Sequence, residues 1–145
     1  MNKPLLVIDT NVVLDLLHFD DASARPLRLA LEDGRVRCMV TDATLEEWRR
    51  VLAYPEFALD PTQQAALVAR YQALAETART VEVDAGLPRC SDTDDQKFIE
   101  LAAAVRAQGL VSKDRAVLKL RRRCAPTFRV MTPAEAVRWL DEMPA

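Results

Sequence analysis

The chain has 145 residues and a formal net charge of −2, a length typical of one domain with a sizeable core. Hydrophobic residues make up 50% of the sequence and charged residues 29%, which excludes an intrinsically disordered chain. The apolar runs are too short for a membrane span or a secretory signal. We therefore expect a single domain over residues 1–145 that acts in the cytoplasm without membrane contact.

Several residue types that enzymes commonly use are scarce. His18 is the only histidine, which argues against Ser-His-Asp catalysis, Cys-His catalysis and histidine-rich metal sites. Cys38, Cys90 and Cys124 are far apart and form no CxxC pair, so we expect three small buried hydrophobic residues rather than a disulfide framework. Any chemistry must therefore come from carboxylates, lysines or a hard metal ion.

The first predicted element is the apolar run Leu5–Ile8, which leads directly into Asp9. A short continuous apolar run of this kind is typical of a buried strand in a parallel sheet. Asp9 would then lie at the carboxyl end of the strand, where open α/β sheets build their sites. The alternative is that Asp9 only caps the next helix, and the residue alone does not distinguish the two.

Helices are predicted next over residues 11–18 and 24–33, the second stopped by Gly34. A second strand is expected at Arg37–Thr41. A helix over 43–53 follows, and its spacing places four apolar side chains on one stripe: Leu45, Trp48, Val51 and Leu52.

Two adjacent glutamates in helix 43–53 differ in helical phase. At about 100° per residue, Glu46 falls nearly opposite the apolar stripe, whereas Glu47 falls on its flank and can point into a cleft beside the sheet. The simpler roles are an exposed helix acid for Glu46 and a capping-box partner of Thr44 for Glu47. The phase favours Glu47 as the site residue.

The remaining chain continues to alternate between helices and strands. Asp60, Pro61 and Gln63 predict a helix start, with the helix running to about residue 78. A short strand or connector at Thr80–Val83 comes next, followed by a helix that runs from the capping-box spacing Thr93–Gln96 to about residue 108. A strand at 110–112 and a short helix over 114–120 follow. The last elements are a strand at 128–131 and a helix opened by the capping box Thr132–Glu135. This alternation predicts an α/β fold with a mainly parallel sheet.

Asp92, Asp94 and Asp95 lie at the start of the helix that leads to residue 108. Acids in a first turn also interact favourably with the helix dipole, so all three have a structural alternative. Asp95, however, shares the side of the helix that carries the core stripe. A carboxylate there needs a partner, because an unpaired buried charge is costly.

Asp114 follows the strand at 110–112, again as either a helix cap or a site acid, with Ser112 and Lys113 beside it. Four independent caps remain an alternative for the acids at these strand and helix ends. A hard-cation site explains them together, because Mg²⁺ and Mn²⁺ prefer carboxylate oxygens.

Taken together, these motifs resemble the PIN domain family, and most closely its bacterial branch of VapC-like toxin components of toxin–antitoxin systems. The order and spacing of the motifs carry the resemblance, which spans nearly the whole chain. The motifs are Ile8–Asn11, Thr41–Glu47, Asp92–Phe98 and Val111–Asp114.

The resemblance implies a three-layer α/β/α sandwich and a ribonuclease that hydrolyses phosphodiester bonds with Mg²⁺ or Mn²⁺. The residues that match the family's catalytic and metal-binding acids are Asp9, Glu47, Asp95 and Asp114. Asn11 and Ser112 match its supporting polar positions. Asp92 or Asp94 can share or replace the role of Asp95.

RNA is the substrate that the resemblance implies, and basic side chains near the acids are expected to hold it. The candidates are Lys113, Arg115, Arg121 and Arg122. Ordinary solvated surface is the favoured interpretation for any one of them, whereas as a group those that follow Asp114 could track an RNA backbone. The resemblance also implies a small antitoxin protein as partner, and a homodimer or higher homo-oligomer. Two alternatives remain open. One is a relative that binds RNA or a partner without cleavage, and the other is a receiver-type signalling module with an acidic Mg²⁺ pocket.

Overall fold

A parallel sheet forms the centre of the computed structural model, which describes residues 3–143. Within these residues the strands are β1 (Leu5–Ile8), β2 (Arg37–Val40), β3 (Glu76–Thr77), β4 (Gly109–Val111) and β5 (Arg129–Met131). Their order is β3-β2-β1-β4-β5, and every neighbouring pair is parallel. The predicted parallel α/β sheet is therefore confirmed, with β1 at its centre.

Helices connect successive strands, as parallel pairing requires. They are α1 (Thr10–Leu17), α2 (Arg25–Glu32), α3 (Asp42–Leu52), α4 (Pro61–Leu74), α5 (Gln96–Ala104), α6 (Arg115–Leu118), α7 (Arg121–Cys124) and α8 (Pro133–Asp141). Short 3₁₀ turns lie at Pro55–Phe57 and Thr93–Asp95. In the part of the chain that is described, none of these helices has the length and hydropathy needed to cross a bilayer.

The side chains of β1 alternate between two apolar layers, as the pleat of a strand dictates. Leu6 and Ile8 belong to the core cluster that includes residues of α1, α2, α3 and α8. Leu5 and Val7 belong to a second cluster on the other face, with residues of α5, α6 and α7. This arrangement is the expected three-layer α/β/α sandwich. The three cysteines are free and buried in these layers, as predicted.

Two of the predicted helix starts are formed by reciprocal side-chain caps. Asp60 and Gln63 open α4, and Thr132 and Glu135 open α8. In each pair, the side-chain oxygen of one residue accepts a hydrogen bond from the backbone N–H of the other. Proline occupies the first helical position in both cases, where its missing N–H has no intrahelical role. These two predictions are confirmed.

The predicted end of α4 is wrong, and β3 was not predicted, whereas Thr80–Val83 forms the connector that was one of its two predicted alternatives. The helix ends at Leu74 rather than near residue 78, and β3 lies at Glu76–Thr77. The reason is tertiary: Glu76 pairs in register with Met39 of β2, and its carboxylate accepts from the guanidinium of Arg37 at 2.7 and 2.8 Å. No local pattern reports these contacts.

Two predicted caps are also different in the structure. The box at the start of α3 joins Thr41 and Thr44, so Thr44 is not the partner of Glu47. Asp92 rather than Thr93 caps the turn before α5, and Gln96 instead accepts from the backbone N–H of Cys90 at 2.6 Å. In both places, a side chain other than the predicted one accepts from the free backbone N–H groups at the start of the helix.

Helix α2 offers a direct test of how the outer layer packs. Leu27 is fully buried, whereas Leu29 on the same helix is 43% exposed. We expect Leu27→Ala to lower the free energy of unfolding by about 2–5 kcal/mol, because it removes buried methyl groups and leaves a cavity. Leu29→Ala is the matched control and should stay within about 0.5 kcal/mol of the parent. Urea denaturation measures both, and equal effects would contradict this packing.

Candidate metal centre

The first two site acids lie at the carboxyl ends of adjacent strands. Asp9 follows β1 and Asp114 follows β4, and these strands pair in register through Ile8 and Val111. The backbone N–H of Asp9 continues the ladder by donating to the carbonyl of Val111 at 2.9 Å. Parallel pairing therefore brings together two acids that are more than a hundred residues apart in sequence.

The buried hydroxyl of Ser112 connects these two acids. It donates to Oδ2 of Asp9 at 2.8 Å and accepts from the backbone N–H of Asp114 at 3.0 Å. Ser112 is fully buried and Asp9 is 3% exposed. The hydroxyl thus fixes the orientation of Asp9 and the backbone direction at Asp114.

Both acids also cap helices, so the capping role and the site role coexist. Oδ1 of Asp9 accepts from the backbone N–H of Asn11 at 3.4 Å, and Oδ1 of Asp114 accepts from that of Ala116 at 2.8 Å. The side chain of Asn11 is exposed, so its contact with Asp9 runs through the backbone. Each carboxylate is anchored by one oxygen at the start of its helix.

Two further acids, Asp92 and Asp95, form a cluster with Asp114 at this edge of the sheet, and Asp9 is not one of its members. Asp92, Asp95 and Asp114 each offer an oxygen within 4.8 Å of the others. Asp95 is 7% exposed, and its Oδ2 has no hydrogen-bond partner among residues 3–143. Asp94 is exposed, and its contact with the cluster is a backbone N–H donated to Asp92 at 3.0 Å. The three carboxylates can hold a metal ion.

The electrostatics of the cluster explain why it needs a positive charge. Burial raises the pKa of Asp95 to about 8, with the close carboxyl of Asp114 and the charge of Asp9 acting in the same direction. Burial also raises the pKa of Asp9, although hydrogen bonds from Ser112 and Asn11 lower it. Like charges in a partly dry site are stable only with a shared proton or a cation.

Glu47 reaches the same region from α3. The hydroxyl of Thr10 donates to its Oε2 at 2.5 Å, and the ammonium of Lys97 lies 3.2 Å from its Oε1. The neighbouring Glu46 points outward, with its side chain 66% exposed and 3.6 Å from the guanidinium of Arg49. The structure therefore places Glu47, and not Glu46, beside Asp9.

A PIN domain family model matches residues 5–116. The chain belongs to the PIN domain family. The structure is also similar to a crystal structure of VapBC2 from Rickettsia felis bound to a DNA fragment from their promoter, with a TM-score of 0.59 and 14% identity. That match covers 88% of this chain and 98% of the other, and at this identity it shows a shared fold. No curated protein matches the chain.

The PIN topology also excludes the receiver-type alternative. In this sheet β1 lies between β2 and β4. Receiver modules have the strand order 2-1-3-4-5, in which the first strand lies between the second and the third. The acids of this PIN domain therefore lie at a different switch point from those of a receiver.

Among the basic candidates, two are already paired in this PIN domain. The ammonium of Lys113 lies 2.7 Å from Oδ2 of Asp15, and Arg121 makes a two-point contact with Glu135 at 2.8 and 3.0 Å. Arg115 and Arg122 are exposed. Their role with RNA stays a prediction.

Sequence reasoning missed the partners of Glu47. Thr10 follows Asp9 directly and Lys97 follows Asp95 by two residues, so both lie inside the motifs. Their proximity to Glu47 depends on how α3 packs against α1 and α5.

Lys97 also lines two open clefts, of about 270 and 340 Å³, whose walls include Arg79 and Arg89 respectively. Sequence alone gives no signal for either cleft.

Charge removal at Asp95 should stabilise the metal-free protein. The unfolded carboxyl loses its proton near the ordinary pKa of 3.8, whereas the folded one keeps it to about 8. The unfolded state binds fewer protons between these values, so the free energy of unfolding should fall as the pH rises from about 4 to about 8. Asp95→Asn should lack this fall and melt at a higher temperature at pH 8.

The matched control is Asp94→Asn, which changes an exposed acid next in sequence. Its melting temperature in EDTA should follow that of the parent across this pH range. Identical melting curves for the parent and Asp95→Asn at pH 8 would show that Asp95 carries no electrostatic cost.

Proposed function

We propose that this PIN-domain protein is a ribonuclease that hydrolyses phosphodiester bonds of RNA with Mg²⁺ or Mn²⁺. The observation that carries the proposal is the buried, unpartnered Oδ2 of Asp95 inside a cluster of three carboxylates. Such an atom is costly without a counterion, and hard divalent cations prefer oxygen ligands.

Asp95 and Asp114 are the first ligands that we assign to the cation, and Asp92 or Asp9 would complete the set. All of them are hard oxygen donors, and histidine is not needed, in agreement with His18 packing against Phe19 and Phe57 instead. When bound, such a cation lowers the pKa of a water molecule and offsets negative charge on the phosphate.

The chain's own residues prepare the site for this chemistry. Asp95 holds a proton near neutral pH in the free protein and releases it when the cation binds, which couples binding to pH. Ser112 holds Asp9 in place through its Oδ2. Thr10 and Lys97 hold Glu47, which adds negative charge next to Asp9.

Basic side chains in two clefts support RNA binding. Lys97 lines both clefts together with Glu100, and Arg79 and Arg89 line one cleft each. Cationic side chains of this kind can bind the phosphates of RNA. Arg115 and Arg122, which are exposed, are the remaining candidates from the sequence.

A binding-only relative is the second candidate function. It would use the same basic surface without cleaving RNA. The complete set of acids favours catalysis, because a surface that binds a polyanion gains nothing from buried carboxylates.

We also propose that the protein is the toxin component of a toxin–antitoxin pair. The structural relative described above carries the name VapBC2 and is bound to promoter DNA, which supports this assignment. The surface also has an aromatic cluster of Phe19, Tyr54 and Phe57, with Phe19 55% exposed and Tyr54 45% exposed. Exposed aromatic residues are enriched at protein interfaces.

Cleavage of single-stranded RNA by the purified protein with Mg²⁺ or Mn²⁺ is the main expected outcome. EDTA should stop it. Asp9→Asn, Asp95→Asn and Asp114→Asn should each lower the rate by about 100-fold or more, a typical cost of losing one charge-stabilising group. Double variants should be little worse than single ones, because residues that act as a unit fail together. A triple-Asn variant as active as the parent would refute the proposed site.

The two adjacent glutamates provide the matched control for that assay. Glu47→Gln should lower the rate by about 10- to 100-fold, as is common for residues that support a metal centre. Glu46→Gln should leave the rate near that of the parent, because Glu46 is exposed. The opposite ranking would mean that Glu46 carries the role.

The partner proposal predicts a stable complex with a small protein encoded beside this gene. Co-expression followed by size-exclusion chromatography with mass measurement should give a complex that retains both chains, and the complex should inhibit RNA cleavage. Phe19→Ser and Tyr54→Ser should weaken it, whereas Leu29→Ser, at another exposed apolar position, should not. Elution of the protein alone or only as a self-assembly would contradict the pair.

A further inference from the structure

The aspartate cluster and Glu47 differ in the partners that their carboxylates already have. Asp92, Asp95 and Asp114 form a cluster that includes an unpartnered buried oxygen. Glu47, in contrast, has a donor on each of its oxygens, the hydroxyl of Thr10 and the ammonium of Lys97. Lys97 thus gives Glu47 a cationic partner within the chain.

Lys97 is held in this position by more than its pair with Glu47. Its Nζ also donates to the backbone carbonyl of Asp94 at 2.8 Å and lies 5.5 Å from the centre of the Phe98 ring. The side chains of Lys97 and Glu47 are only 25% and 14% exposed, so water screens the pair weakly. The ammonium is therefore a built part of the site rather than a mobile surface charge.

We propose that the ammonium of Lys97 occupies the position of a second cation, so that this site binds a single divalent ion. The inference rests on the metal site of the proposed function and specifies how many ions that site takes. Two-metal sites hold their ions about 3.5–4 Å apart, and a second ion needs oxygen ligands beyond those that the first ion occupies.

A second divalent ion at Glu47 would have to displace Lys97 or lie against it. Displacement breaks two hydrogen bonds of the ammonium, and coexistence places a doubly charged ion beside a single positive charge in a partly buried cleft. The unpartnered oxygen of Asp95 carries no such obstacle. One ion at the aspartates and the ammonium at Glu47 give each of these carboxylates a cationic partner.

The test is to count Mn²⁺ ions bound to EDTA-treated, desalted protein, by calorimetry and by electron paramagnetic resonance, without RNA. The parent should bind one ion. Lys97→Met keeps the length of the side chain without its charge, and this variant should bind two ions. Its affinity for the second Mn²⁺ ion should be at least about tenfold higher than that of the parent for a second ion. Two nearby Mn²⁺ ions should also give a spin-coupled spectrum that the parent lacks.

Three further variants identify the cause. Lys97→Arg keeps the charge and should bind one ion. Lys97→Met combined with Glu47→Gln should return to one, which places the second ion on Glu47. Lys97→Gln repeats the neutralisation in case the methionine variant does not fold, and circular dichroism checks the fold of each protein.

The outcomes separate this inference from the proposed function. Two ions in the parent, or one ion in folded Lys97→Met and Lys97→Gln, would overturn the role of Lys97 while leaving the metal site intact. Absence of Mn²⁺ binding by the parent would overturn both, because the aspartate cluster would then hold no cation.

Discussion

Carboxylates of like charge meet at the carboxyl ends of β1 and β4, and only a proton or a cation relieves their repulsion. The geometry that forces this meeting is the parallel register of the two strands, which aligns Ile8 with Val111 and so places Asp9 next to Ser112. The two acids are also fixed in place because Asp9 caps α1 and Asp114 caps α6. The fold therefore holds these acids together despite the repulsion between their charges.

The electrostatic cost of these charges differs from one acid to the next, because the acids have different hydrogen-bond and ion-pair partners. Glu47 is neutralised within the chain by Lys97, and Asp9 is stabilised by the hydroxyl of Ser112. Oδ2 of Asp95 receives no donor from residues 3–143, and burial together with the neighbouring carboxylates raises the pKa of Asp95 to about 8. A PIN domain with this distribution places its strongest demand for positive charge at one point, between Asp95 and Asp114.

Local sequence patterns were sufficient for much of this account. The apolar run of β1 predicted a buried strand, the capping boxes predicted the starts of α4 and α8, and helical phase separated Glu47 from Glu46. Each of these depends on residues within a few positions of one another. Resemblance to the PIN family then supplied the architecture and the set of acids, and residues 5–116 match that family.

The features that sequence could not give all depend on contacts between distant elements. β3 has only two residues and exists because it pairs with β2, and Arg121 is held by Glu135 of α8. The contact of Glu47 with Lys97 joins residues fifty positions apart. Asp92 as the cap before α5 was missed because Thr93 fits the same local pattern, and only the folded turn shows which side chain accepts the bond.

We infer that the carboxylates around Asp95 form a divalent-cation site. Anomalous diffraction from crystals grown with Mn²⁺ is the decisive measurement, because the metal's own signal locates the ion without reference to activity. We expect a strong peak within ligand distance of Oδ2 of Asp95 and of a carboxylate oxygen of Asp114, and its loss in Asp95→Asn. A fully occupied peak elsewhere, or none at this edge of the sheet at saturating Mn²⁺, would contradict it.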